Sequence, residues 1–423
     1  MELTKAKYKQ TEVGLIPEDW SLVPFNSVFS FNSTSNYSKA QMSEDDEVGC
    51  IHYGLIHAIK NTKYDVTHGI KYYVTSEQAK YELVRDGDVI MVDASEDLEG
   101  VNKSVEVFGV GNNKYISGLH TYLLRDKNLK LADNFRGILL NSQRVKSQML
   151  QLAVGMKVFG VSKTQLVNVL LPLPTLTEQK AIATALSDVD DLIANLDKLI
   201  TKKNAIKQGA MQQLLTPNEK WINTSLIELA GNKKNQFDDG DWIESEYIIS
   251  QGVRLIQTGN IGIGVFKDKG NKKYISEESF NKLNCKEVLK GDLLICRLAE
   301  PAGRACVMPS IGEDKVVTSV DVSIFRGNPE IVNKDFLSQL FTTNGWFQKV
   351  IEKVGGTTHK RISRGALGKI NIEVPLIVEQ KRIALVLSDM DTEIEQLELK
   401  KAKCQDIKQG MMQELLTGKT RLV

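Results

Sequence analysis

Apolar positions along this chain switch between two rhythms. In residues 178–216, Ile182, Leu186, Val189, Ile193, Leu196 and Ile200 are spaced 4, 3, 4, 3, 4, which is a heptad seam. That spacing predicts one long helix, with Pro174 ahead of it, Thr177 as N-cap, Glu178 in the first turn and no proline before Pro217. A second seam follows at Ile383, Leu387, Met390, Ile394 and Leu397. At a rise of ~1.5 Å per residue, a helix of roughly 36 residues is a rod of about 54 Å. Its single apolar stripe has to be buried, and the most available partner is the other copy. The globular stretch between the copies lets the chain return, so an antiparallel pair is expected; packing of each helix on another protein would satisfy the seam equally.

Outside the seams the runs are short and bounded by Gly, Asn and Asp. Residues 51–56, 89–92, 121–124, 293–296 and 320–325 read as strands, and residues 134–152 and 334–354 as helical. This is a mixed α/β pattern. The globular stretches and the seams form an internal repeat. Residues 178–216 recur at 379–417 with a constant offset of 201, no gap, and 21 of 39 positions identical. The offset extends to Gly155 and Gly356, Ser162 and Ser363, Leu166 and Leu367, Pro174 and Pro375, Glu18 and Glu219, and Trp20 and Trp221. Between these anchors a shift of three aligns Asp86-Gly87-Asp88-Val89-Ile90 with Lys290-Gly291-Asp292-Leu293-Leu294. The chain is two copies of one module, each a divergent globular part followed by a near-identical helix.

Composition adds limits more than clues. The 423 residues allow two or three domains, and 42% hydrophobic with 25% charged residues is ordinary for a globular protein. No apolar run reaches the ~18 residues of a membrane span, and the polar start lacks a signal-peptide core, so a cytoplasmic protein is expected. Cys50, Cys285, Cys296, Cys306 and Cys404 are irregularly spaced, which suggests neither a disulfide framework nor a zinc site. Net charge is +1, so composition alone does not point to nucleic acid.

No catalytic or metal-binding set stands out. The chain has no phosphate-binding Gly-x-x-x-x-Gly-Lys-Ser/Thr loop and no His-Glu-x-x-His helix. Residues 259–264 are glycine-rich but read as a turn, and Asn328-Pro329-Glu330 reads as a loop. His52, His57, His68, His120 and His359 lack ligand spacing. Glu178-Gln179-Lys180 and Glu379-Gln380-Lys381 have a form seen in some nucleases, yet they open the heptad helices, where the helix dipole favours acid. Such a chain binds, and another chain carries the chemistry.

The segment Leu171-Pro172-Leu173-Pro174-Thr175-Leu176-Thr177-Glu178-Gln179-Lys180-Ala181-Ile182-Ala183 resembles the specificity subunit of type I restriction-modification systems. So do its copy from Val374 to Ala384, the ending Gln413-Glu414-Leu415-Leu416-Thr417-Gly418-Lys419 and the opening Gly14-Leu15-Ile16-Pro17-Glu18-Asp19-Trp20. The resemblance covers the whole chain. It implies an α+β protein with two pseudo-twofold-related α/β target recognition domains separated by two long antiparallel coiled-coil spacer helices. The domains fall at residues 1–174 (with an N-terminal segment 1–18) and 217–375, and the spacers at 175–216 and 376–423. It further implies that each recognition domain reads one half of a bipartite double-stranded DNA site. Two methyltransferase subunits using S-adenosylmethionine and two restriction subunits using ATP and Mg would join it, and the chain itself would bind no cofactor and catalyse nothing. A coiled-coil scaffold that joins partners without contacting DNA, or an enzyme with an unrecognised site, would be the competing assignments.

A neutral chain that binds DNA must cluster its bases locally or borrow charge from partners. Candidate DNA contacts are Lys114, Lys157 and Lys163 in the first module, and Lys272, Lys273, Arg297, Arg304, Lys360, Arg361 and Arg364 in the second. The matching loops at 155–159 and 356–361 follow a helix in each module. Arg297 and Arg304 flank Ala299-Glu300-Pro301-Ala302-Gly303, where an arginine could take guanine bidentately in a major groove. Their replacement by alanine is expected to weaken binding at the second half-site only. The first module has Asp93-Ala94-Ser95-Glu96-Asp97 there, which suggests a different base preference. Gly209 and Gly410 sit at equivalent places in the helices at a cost of ~1 kcal/mol each relative to Ala, which points to a close crossing, a docked partner or fraying.

Overall fold

The structure is a computed structural model that describes residues 7–128, 130–298, 300–356 and 360–422. Ala299, Thr357, Thr358 and His359, named among the loop candidates, lie outside the described residues. The chain divides into two compact units, one of residues 1–199 with 398–423 and the other of residues 200–397. Each unit therefore takes its helical part from both seams.

Each seam is a helix of 39 residues, Leu176–Leu214 and Ile377–Leu415. The first begins one residue ahead of the expected cap. Thr175, not Thr177, accepts from the Glu178 amide at 3.3 Å, because the backbone turns helical straight after Pro174. In the first unit, Asp190 meets Lys408 at 2.6 Å and Asp197 meets Lys401, so the two helical segments run antiparallel. In the second unit, Lys203 meets Glu393 at 2.6 Å and Lys207 meets Asp391, again antiparallel. Asp190–Lys408 and Asp391–Lys207 occupy repeat-equivalent positions. The seam residues Ile182, Leu186, Leu196, Ile383, Leu387 and Ile394 are buried, and Val189, Ile193, Ile200, Met390 and Leu397 are half-buried.

The first turns of each helix do more than pair with a helix. Ile182, Ala183 and Leu186 enter the core of the first unit beside Phe25, Phe135 and Leu140, together with Leu415 and Leu416. Ile383, Ala384 and Leu387 enter the core of the second beside Phe336, Phe341 and Leu215. Gln179 explains the Glu-Gln-Lys motif. Its side chain accepts from the Ala132 amide at 2.9 Å and donates to the Pro174 carbonyl at 3.0 Å. Gln380 repeats both bonds with Asn333 and Pro375, at 2.8 and 2.8 Å. The buried amide ties the helix start to the globular part, which gives this motif a structural role. Both helices run on through Gly209 and Gly410 without fraying, and a Cβ added at either meets nothing within 4 Å, which removes a close crossing as their reason.

The globular part of the first unit holds a five-stranded sheet, in spatial order Phe29–Asn32, Thr121–Asp126, Val89–Val92, Ser104–Phe108 and Lys63–Asp65. A three-stranded sheet of Lys114–Ser117, Val48–Ile51 and Tyr73–Val74 accompanies it. The second unit has the counterparts Phe237–Asp239, Val322–Phe325, Leu293–Cys296 and Ala305–Val307, and then Lys273–Ile275, Val253–Ile256 and Val316–Thr318. Ion pairs at equivalent positions anchor both sheets: Arg125 to Asp88 at 2.7 Å and Arg326 to Asp292 at 3.1 Å. The run 51–56 is not one strand. It breaks at His52, whose imidazole Nδ1 accepts from the Gly54 amide at 3.0 Å and starts the helix Tyr53–Ala58. The run 134–152 likewise splits into Phe135–Leu140 and Gln143–Gln151, and 334–354 into Lys334–Leu340 and Asn344–Ile351. Residues 259–264 run from a 3-10 helix, Thr258–Asn260, into a turn closed by Ile261 against Phe266, and all five cysteines are free and buried. Among the described residues no helix is long and apolar enough to cross a membrane.

Candidate nucleic-acid interface

Both units build the same backbone frame where the second and third strands of the larger sheet end. In the first, the Asp93 amide donates to the His120 carbonyl at 3.2 Å, and the Asp93 carbonyl accepts from the Val161 amide at 3.1 Å. In the second, the Arg297 amide donates to the Asp321 carbonyl at 2.8 Å, and the Arg297 carbonyl accepts from the Ile362 amide at 3.0 Å. A pair of backbone bonds forms a bridge beside each frame. Val154 and Gly160 exchange backbone bonds of 2.9 and 3.0 Å to close the first, and Gly355 and Arg361 exchange two of 3.0 Å to close the second. Each closing residue then pairs with the strand edge, Gly160 with Ala94 and Arg361 with Leu298. A short helix follows, opening with Lys163 in one unit and Arg364 in the other, capped by Ser162 and Ser363.

The side chains on this shared frame differ. In the first unit Asp93 lies 3.6 Å from His120, and burial pushes the Asp93 carboxyl pKa above its ordinary value. An open hollow beside them is lined by Tyr53, His57, Ser95, Glu96, Asp97 and His120. Tyr53 meets His120 and His57 edge-on at 5.4 and 5.9 Å. Desolvation lowers the His57 pKa, with Lys103 adding to it, which favours a neutral ring. Lys163 rests over the Phe31 and Tyr122 rings at 5.6 and 5.4 Å, and the loop tip carries exposed Lys157 beside Met156, which is 98% exposed.

In the second unit a hollow beside the matching frame, lined by different positions, is formed by Asp239, Arg297, Val320, Arg361, Ser363 and Arg364. Arg297 forms its floor and is only 3% exposed. Its guanidinium donates to the Ile362 carbonyl at 3.2 Å and to the Val320 carbonyl, with Asp239 at 3.1 Å. Burial lowers its pKa, with Arg361 and Arg364 pushing the same way against Asp239 and Asp321. Arg304 is equally committed, donating to the carbonyls of Ile261, Leu298 and Pro301 at 2.8 Å and of Thr258 at 3.0 Å. Most donors of these two arginines are spent on holding the loops together, and the Arg297 Nε, near Asp239, is buried without a hydrogen bond, so neither guanidinium presents an open fork to a base. Arg364 is paired to Asp238, whereas Arg361 and Lys360 are exposed.

The structure thus brings together Arg297, Arg361 and Arg364, and sets Lys157 and Lys163 on the matching loop and helix of the other unit. Lys114 is exposed at the start of its strand. Lys272 is held by Asp268 at 3.2 Å and Glu313 at 3.4 Å, and half-buried Lys273 lies in a strand. The residues missed in the sequence are His120, Asp321, Phe31 and Tyr122. The first two are visible as repeat-equivalents at offset 201 flanking Asp93 and Arg297, and the aromatic pair beneath Lys163 comes from strands distant in sequence.

The chain matches the family model described as type I restriction modification DNA specificity domain twice, at residues 17–208 and 218–403, and it belongs to that family. It is a specificity subunit by family, a class that reads DNA sequence within restriction-modification systems. Among relatives, it is 28% identical to the putative type I restriction enzyme MjaX specificity subunit of Methanocaldococcus jannaschii, covering 98% of this chain and 97% of that one. It is 26% identical to the MjaVIII specificity subunit of the same organism, over 96% and 94% of the two chains. The fold is similar to the S subunit from M. genitalium, with TM-score 0.58, 14% identity and 98% of each chain covered. A chain from a solved type I R-M system complex gives TM-score 0.54 at 16% identity, over 96% and 99% of the chains.

Proposed function

We propose that this chain is the non-catalytic subunit that reads an asymmetric bipartite site in double-stranded DNA, one half per unit. It directs adenine-N6 methylation, and restriction, by partner subunits. The observation that carries this reading is the repeated backbone frame with unlike side chains. Two readers of one design present acid, histidine and tyrosine in one case and arginine in the other, which suits two different half-sites. Exposed Lys157 and Lys360 on the matching loops hold phosphates and set register, while the hollows face base edges. Two methyltransferase subunits carry S-adenosylmethionine and two restriction subunits carry ATP and Mg in this reading, and the chain works in the cytoplasm without a cofactor of its own. The test is to purify the chain with the methyltransferase subunit encoded beside it and map methylated adenines on genomic DNA. One asymmetric bipartite motif, methylated only when the chain is present, is expected. A complex that forms but leaves methylation independent of the chain would replace this reading with the scaffold.

A further inference from the structure

We infer that Arg361 reads a guanine in the half-site taken by the second unit, with Asp321 as the residue that positions it. This rests on the proposed function and adds a base and a side chain to it. Arg361 sits on a backbone held by the paired bonds to Gly355 and by its bridge to Leu298. Its Nε lies 2.7 Å from the Asp321 carboxylate, and the side chain stays 41% exposed. Its two terminal nitrogens have no partner among the described residues, unlike those of Arg297 and Arg304. Drawn by charge to Asp321 at its Nε, without a hydrogen bond to that buried carboxylate oxygen, and with its outer fork open, the guanidinium is shaped for two parallel acceptors, which guanine supplies as O6 and N7 in the major groove. The paired backbone bonds fix where the side chain starts, and the Asp321 charge biases where it points, which lowers the ordering cost of binding.

A phosphate contact is the competing use of such a fork. Lys360, adjacent and exposed, already supplies a point charge for that role, whereas Arg361 has the buttress that directional recognition calls for. The first unit cannot repeat the device. Gly160 stands at the position of Arg361, His120 at that of Asp321, and Asp93 at that of Arg297, on the same backbone bonds. The reading of guanine by this arginine is therefore confined to one half of the site.

The experiment compares complexes of the methyltransferase with the wild-type chain, Arg361→Ala, Arg361→Lys and Asp321→Asn, by genome-wide mapping of methylated adenines. In the wild type, one half of the motif contains a G·C pair. Arg361→Ala should lower preference for that pair at least tenfold at one position of that half, with the other half unchanged. Arg361→Lys should not restore it, since a lysine cannot bridge O6 and N7 with a fixed fork. Asp321→Asn should relax the same position to a smaller degree, an effect that loss of mere packing would not confine to one base. The inference is overturned if Arg361→Ala lowers methylation uniformly with the motif intact, if Arg361→Lys restores full preference, or if the relaxed position lies in both halves. Should Arg361→Ala fail to assemble, an unchanged motif with Asp321→Asn and Arg361→Lys counts against it equally. A wild-type complex with no chain-dependent motif would instead sink the functional reading, and the inference with it.

Discussion

The Glu-Gln-Lys segments of the two units differ most in the surroundings of their glutamates. Gln179 and Gln380 share two hydrogen bonds, Gln380 adding a third to the Ile331 carbonyl at 3.0 Å, but Glu178 is 0% exposed and Glu379 is 41% exposed. In the first unit Trp20 donates to Glu178 at 2.9 Å and Arg421 donates to it at 2.6 and 2.9 Å, with Asp19 on the far side of the guanidinium at 2.6 Å. In the second, Glu379 pairs with the neighbouring Arg382 on the helix surface at 2.6 Å. The lesson is that a repeated motif keeps the bonds made by its buried neutral amide, while its carboxylate becomes structural only where a chain end folds back to cover it. The same holds at the reading frames, where the backbone bonds persist and the charges change.

The comparison can be broken most directly by removing Arg421. Arg421→Ala leaves a fully buried carboxylate with the Trp20 indole alone and should cost the first unit about 3 kcal/mol in urea unfolding. Arg382→Ala, on the exposed pair, should cost no more than about 0.5 kcal/mol. Similar losses for the two would mean that Glu178 is not specially held. The pH response sharpens the point. Hydrogen bonds from Arg421 hold the Asp19 carboxyl pKa below its ordinary value. That contribution is present above the ordinary carboxylate range and is lost as pH falls through the lowered value. Arg421→Ala should therefore flatten the acid limb of the stability profile.

Smaller and symmetric effects come next. Gln179→Ala and Gln380→Ala each strand a backbone amide, that of Ala132 or Asn333, and should cost about 1–3 kcal/mol apiece. A loss at one site only would contradict their equivalence. The smallest change expected is a gain: Gly209→Ala and Gly410→Ala meet open space in helix interiors and should stabilise by up to ~1 kcal/mol. If either variant also weakens binding to the methyltransferase subunit, partner docking is why glycine stands there.

The two heptad seams, the antiparallel pairing and the doubled module were legible in the sequence because periodicity and self-similarity are local, countable signals. The loops at 155–159 and 356–361 were legible as a pair for the same reason. The cap at Thr175 and the break at His52 were not, since each depends on where one side chain finds a backbone amide. Arg297 shows the limit most sharply. Its position after a strand suggested a reader, but its partners Asp239, Val320 and Ile362 come from three separate segments, and only folding brings them to its guanidinium. Arg361 stood beside it as one candidate among ten, and its open terminal nitrogens beside the Asp321 carboxylate set it apart only once the chain is folded.

The most direct test of the account is the map of methylated adenines made by the methyltransferase subunit on one genome, with and without this chain. The account predicts a single asymmetric bipartite motif that appears only with the chain. Methylation that is absent in both cases despite a stable complex, or present in both with the same pattern, would contradict it.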